Sequence, residues 1–140
     1  MSADYKQLKE LQKRIEQMEK YDLDTFVKQA TNEIAQRLYG KAVKRTPVGQ
    51  YPKGSGKVGG TLRRGWRMTQ VKPMADGYEV QVINPTDYAS YVEFGHRTRG
   101  GGGWVEGRFM LTKSELEIEK DIPKIVERKL MKFLMEKLGQ

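Results

Sequence analysis

Residues 87–111 read DYASYVEFGHRTRGGGGWVEGRFML, and aromatic, acidic, basic and glycine residues crowd here in an order that neither a plain helix nor a plain strand requires. Tyr88, Tyr91 and Val92 fit one face of a short helical turn, Glu93 follows, and Gly95 is placed to stop the turn because glycine accepts positive φ without strain. His96, Arg97 and Arg99 lead into the glycine run 100–103, which has no side chains to pack, before Trp104 and Val105 return the chain to buriable residues. The stretch reads as a flexible basic tip on a rigid base. Trp104 stands between that tip and the apolar Phe109, Met110 and Leu111, so burial beneath the last helices is expected of it.

Immediately upstream, Asp76-Gly77 is a turn signal, and Tyr78, Val80 and Val82 alternate with Glu79 and Gln81. Residues 62–71 look extended, with Trp66 and Met68 on one face and Arg67 and Thr69 on the other, which predicts an antiparallel hairpin closed by Asn84-Pro85. Trp104 and Val105 offer a third strand. Further upstream, Phe26, Val27, Ala30, Ile34 and Leu38, continued by Ala42 and Val43, carry the clearest 3.6-residue period in the chain. This predicts the main core helix, capped by Asp22 or Asp24 and ending before Pro47. Residues 48–60, VGQYPKGSGKVGG, have no apolar period and read as a mobile loop.

Downstream, Met110, Leu111, Leu116 and Ile118 give an imperfect helical face, and Asp121-Ile122-Pro123 signals either a helix restart or a kink. A stripe of Ile125, Val126, Leu130, Phe133, Leu134 and Leu138 follows, interrupted at Lys129; it completes the core or docks on a neighbour. At the other end Leu8, Leu11, Ile15 and Met18 form a seam of two heptads, too short for a stable coiled coil alone. The reading is an α+β fold: a small antiparallel sheet of three or four strands packed on the long helix of the N-terminal half and on C-terminal helices. Residues 1–21 form an amphipathic helical arm and residues 22–140 a single domain.

The formal charge of +8 is localised. Eight Lys or Arg and no Asp or Glu fall in residues 41–67, residues 96–108 add three arginines against one glutamate, and the remainder is close to neutral. Such a patch attracts polyanions or acidic protein surfaces. No apolar run is long enough to span a bilayer, the first residues lack the apolar core of a secretory signal, and the protein is expected to stay in the cell that makes it. With no cysteine, disulfides and thiolate metal sites are excluded.

Parts for catalysis are scarce. One histidine, no cysteine and no framed carboxylate pair leave only Glu93 and His96, three residues apart, a spacing that more often marks a structural hydrogen bond. GSGK at 54–57 fails as a phosphate loop, because Tyr51 stands where its first glycine is needed and Val58 where Ser or Thr is needed. No metal-ligand spacing appears. Catalytic residues, cofactors and metals are therefore all read as none. Nucleic-acid binding is the rival class, because arginines lie beside Tyr51, Trp66 and Trp104, yet no known nucleic-acid module is recognisable.

Thr46-Pro47-Val48, Gly60-Thr61-Leu62-Arg63 with Trp66, Tyr88-Ala89, Tyr91-Val92-Glu93, Gly95-His96, Gly103-Trp104-Val105, Gly107-Arg108 and Met110-Leu111 follow in one order. This order resembles the tail-completion, or minor tail component, family of long-tailed bacteriophages and prophages, over residues 26–140; Glu106 stands where the family more often has proline. The resemblance implies a structural virion subunit, made in the host cytoplasm, that completes the tail at its head-proximal end and joins it to the head. It further implies a hexameric ring between the tail-tube protein and a head-completion or connector protein, with DNA passing through the lumen and no membrane contact. Lys53, Lys57, Arg63, Arg64, Arg97 and Arg99 are then candidate assembly residues on two loops. Tyr88, Ala89, Tyr91, Val92, Glu93, Gly95, Trp104 and Gly107 are the motif residues.

Overall fold

A computed structural model describes residues 6–10, 12–13, 20–49, 53–98 and 100–138, with Lys20, Tyr21 and Leu138 by backbone alone. Helix α1 (Lys20–Arg45) leads into the short turn α2 (Thr61–Arg64). Strands β1 (Arg67–Met68), β2 (Lys72–Met74), β3 (Gly77–Glu79) and β4 (Val82–Ile83) precede α3 (Ala89–Phe94); β5 (Gly95–Arg97), β6 (Trp104–Glu106) and α4 (Met110–Leu138) complete the order. The α+β class follows directly. The strands form three separate two-stranded antiparallel ladders, β1 with β4, β2 with β3 and β5 with β6. Trp104 and Val105 thus pair with Arg97 and His96 instead of extending the first hairpin.

The frame is α1 and α4 running antiparallel. Ion pairs mark the register from end to end: Asp22 with Lys137 at 3.1 Å, Glu33 with Lys129 at 2.6 Å, and Glu117 with both Lys41, at 2.9 Å, and Arg45. Phe26 meets Phe133 with ring centroids 5.2 Å apart. Lys129 interrupts the apolar stripe because it faces α1, and Glu33 supplies the charge that makes its position tolerable. Arg45 and Lys41 pull the Glu117 carboxyl down from its ordinary 4.5 to about 2 by hydrogen bonding.

Several expectations are corrected here. Helix α1 runs unbroken through residues 21–25, so neither aspartate caps it: Asp22 pairs with Lys137, and Asp24 accepts the Tyr78 hydroxyl, which raises the Tyr78 pKa. The segment expected to be extended from Leu62 begins as a helical turn, α2, and becomes strand only at Arg67. Of the two alternatives at Asp121-Ile122-Pro123, the restart is overturned and a full break is absent: helix α4 is continuous, with Pro123 inside it. Of the N-terminal seam, Leu8 lies in a helical, exposed segment, whereas Leu11, Ile15 and Met18 fall outside the described residues.

Ala42 of α1, Leu62 of α2, Trp66 and Met110 form the buried centre, with Tyr39, Val43, Val82, Ala89, Val92 and Leu111 packed against it. Residues from five separate stretches meet there. Among the described residues no helix is long and apolar enough to cross a membrane.

Candidate assembly surface

Two polar hubs hold the motif residues in place, and what they leave outside forms the candidate surface. The first hub is Thr46, which is buried at the end of α1. Its hydroxyl donates to the Ala42 carbonyl at 2.6 Å and accepts Trp66 Nε1 at 2.6 Å, while its carbonyl accepts Arg63 Nε at 3.2 Å and Nη2 at 2.8 Å. One residue thereby fixes both the turn α2 and the core indole. Asn84 extends the hub by donating to the Leu62 carbonyl at 2.8 Å.

The second hub is Glu93, 7% exposed. Helix α4 begins with backbone N–H groups that have no intrahelical acceptor and with the positive end of its dipole. Glu93 Oε1 accepts Leu111 N at 2.9 Å, and Oε2 accepts Thr112 N at 2.9 Å and Thr112 Oγ1 at 2.8 Å. The Val92 and Glu93 carbonyls accept Arg108 N at 2.7 Å and Phe109 N at 3.0 Å, which brings α3 against the entry to α4. That approach explains two glycines. A Cβ on Gly95 would lie 2.4 Å from the Val105 carbonyl oxygen, and one on Gly107 would lie 2.5 Å from the Glu93 carbonyl oxygen. The pairing of Glu93 with His96 does not form: His96 instead packs on Tyr91, ring centroids 5.7 Å apart.

Outside these hubs lies an aromatic face. In α3, Val92 and Glu93 turn inward while Tyr91, 58% exposed, and Phe94, 62% exposed, turn outward, so Tyr91 and Val92 do not share a buried face. Every residue of β6 is exposed. Trp104 is 56% exposed, contrary to the burial expected of it, because Glu93 ties α3 directly to the entry of α4 and β6 pairs with β5 outside that junction. It packs across Gly95 instead. Tyr88, preceding α3, and Val105 are exposed as well.

The basic candidates divide. Arg63 is half-buried on the Thr46 carbonyl and serves the fold; Arg64 is exposed and donates to the Gly59 carbonyl at 3.1 Å. Lys53 and Lys57 are exposed in the loop before α2. Arg97 is exposed on β5, and Arg99 lies outside the described residues. Ala89 and Val92 pack on the core centre. The sequence reading missed Thr46 as a hub, Phe94 as an exposed aromatic, and the acids of α4, whose helical period hides which face they take. Among the described residues no group of three or more His, Asp or Glu side chains is arranged to hold a metal ion.

Comparison with curated proteins and with solved structures gives no match. A family model described as "Bacteriophage HK97-gp10, putative tail-component" matches residues 9–95, which include Thr46, Arg63, Trp66 and Glu93 and stop at the start of β5. The chain belongs to the HK97-gp10-like family of bacteriophage tail components.

Proposed function

We propose that this tail component is the subunit of a ring that completes the tail at its head-proximal end and mediates joining to the head, as a structural part without catalytic duty. The observation that carries this reading is the outward aromatic face of α3 and β6 on a body whose other motif residues are tied inward. Large exposed aromatics on a small domain mark a protein–protein contact. The order of motifs resembling tail-completion proteins supports the head-proximal position, and family membership supports a structural part in the tail. The tail-tube protein on one side and a head-completion or connector protein on the other are the partners, with DNA passing through the lumen.

Nucleic-acid binding as the main function is disfavoured by where the cations go. Lys41 and Arg45 pair with Glu117, Arg63 donates to Thr46, Arg64 to Gly59, and Arg67 to the Arg64 and Trp66 carbonyls. Much of the basic run is thus engaged in holding the fold. Deleting the chain from the phage that carries it is expected to leave heads and tails unjoined, and a tagged copy should label the head-proximal tail end. Label along the tube or at the distal tip would overturn the reading.

A further inference from the structure

The β5–β6 ladder is short, and its second strand is exposed throughout. A two-stranded hairpin of this kind is marginal in water unless something covers it. It carries Trp104 and Val105, with Tyr91 beside it, and two arginines, Arg97 and Arg108, that have no acidic partner among the described residues. Glu106 is the acid among these residues. This is an aromatic knob with a positive balance.

A matching surface exists on the same chain. Between α3 and the first turn of α4 runs an open groove of about 290 Å³, floored by Trp66 and Met110 and walled by Ala89, Phe94 and Leu111, with Glu115 on its rim. Its volume suits one large side chain, not a drug-sized ligand. Glu119 stands one turn beyond Glu115, Leu116 between them is 55% exposed, and neither acid has a cationic partner among the described residues. Like charges four residues apart destabilise a helix, so this arrangement favours an incoming cation.

We infer that Trp104 of one copy enters the α3–α4 groove of the next, with Arg97 and Arg108 meeting Glu115 and Glu119. Knob and groove are made of different residues, and in the ring reading each groove takes the knob of the next copy, a head-to-tail contact of the kind that closes into a ring when the rotation permits. Trp and Arg are also the side chains that most often dominate such contacts. The inference rests on the ring reading and specifies the contact that builds it.

The absence of cysteine makes a clean test possible. Arg97→Cys and Glu115→Cys are made as single variants and treated with a short bis-maleimide, alone and mixed, while the mass of the untreated full chain is measured in parallel. The expected result is cross-linked dimers in the mixture, none in either variant alone, and a ladder of higher multimers from the double variant. A multimeric mass with no cross-link in the mixture would place the contact elsewhere and leave the ring reading standing. Cross-linking of Arg97→Cys with itself would show hairpins packing on each other and overturn the head-to-tail contact. A mass that stays monomeric would remove the ring reading and the contact together. Protection of the Arg97→Cys thiol by added duplex DNA, and not by a second copy, would assign the hairpin to nucleic acid.

Discussion

Glu93 and Thr46 each satisfy several buried groups with one side chain, which makes them the residues whose loss costs most for their size. Leaving a buried N–H unpaired costs about 1–3 kcal/mol, so Glu93→Ala, which orphans Leu111 N and Thr112 N, should lower unfolding stability by about 3 kcal/mol in urea titrations. Thr46→Val keeps the shape but removes the acceptor for Trp66 Nε1; a loss of about 2 kcal/mol is expected, with Thr46→Ser retaining most of the stability. Trp104→Ala removes a side chain that is mostly in water, and its cost should stay below about 1 kcal/mol. Equal destabilisation by Trp104→Ala and Glu93→Ala would show that the inward and outward roles are misassigned. Tyr91, Glu93 and Trp104 sit in one motif, but nothing in the spacing of residues 87–111 indicates that Glu93 reaches Leu111 and Thr112, eighteen and nineteen residues on. Without that closure in view, burying Trp104 was the economical reading.

At the scale of elements, periodicity and Pro47 located the helices and the end of α1 at Arg45, and missed where α1 begins and what the helices pair with. The face of Ala30, Ile34, Leu38 and Ala42 is legible in α1 because it repeats over many turns, whereas strands of two or three residues carry too few alternations to fix which pairs with which. The aspartates at 22 and 24 resemble caps locally, yet Lys137 and Tyr78, remote in sequence, occupy them. The α1–α4 frame carries a pH signature. Because the Glu117 carboxyl is held near 2 in the folded chain against an ordinary 4.5, its pairing with Arg45 and Lys41 stabilises above pH 4.5 and is lost as pH falls toward 2. The group is largely solvated, so the effect is small. Melting curves of wild type and Glu117→Gln should differ at pH 7 and converge on acidification; a gap that persists at low pH would contradict the pairing. Residues 48–60 keep Lys53, Lys57 and Val58 exposed, and trypsin should cut there before it cuts α1 or α4. Cleavage after Arg97 should be slower, since Arg97 pairs with Trp104 in the β5–β6 ladder and Thr98 N donates to the Gly103 carbonyl at 3.0 Å.

At the scale of the whole molecule, a two-helix frame supports a compact motif region, and the aromatic face of that region finds no cover among the described residues. The α+β class and the order of motifs were readable from residues alone. The division of those motifs into residues that close the fold and residues that face outward was not, because it depends on which carbonyls and amides the buried carboxylate and hydroxyl reach. The central claim is that the outward residues join copies while the inward ones hold each copy together. Native mass spectrometry of the wild-type chain and Trp104→Ala at equal concentration tests it most directly. The account predicts a single closed multimer for the wild type and a folded monomer, with an unchanged narrow charge distribution, for the variant; the same multimer from both chains would contradict it.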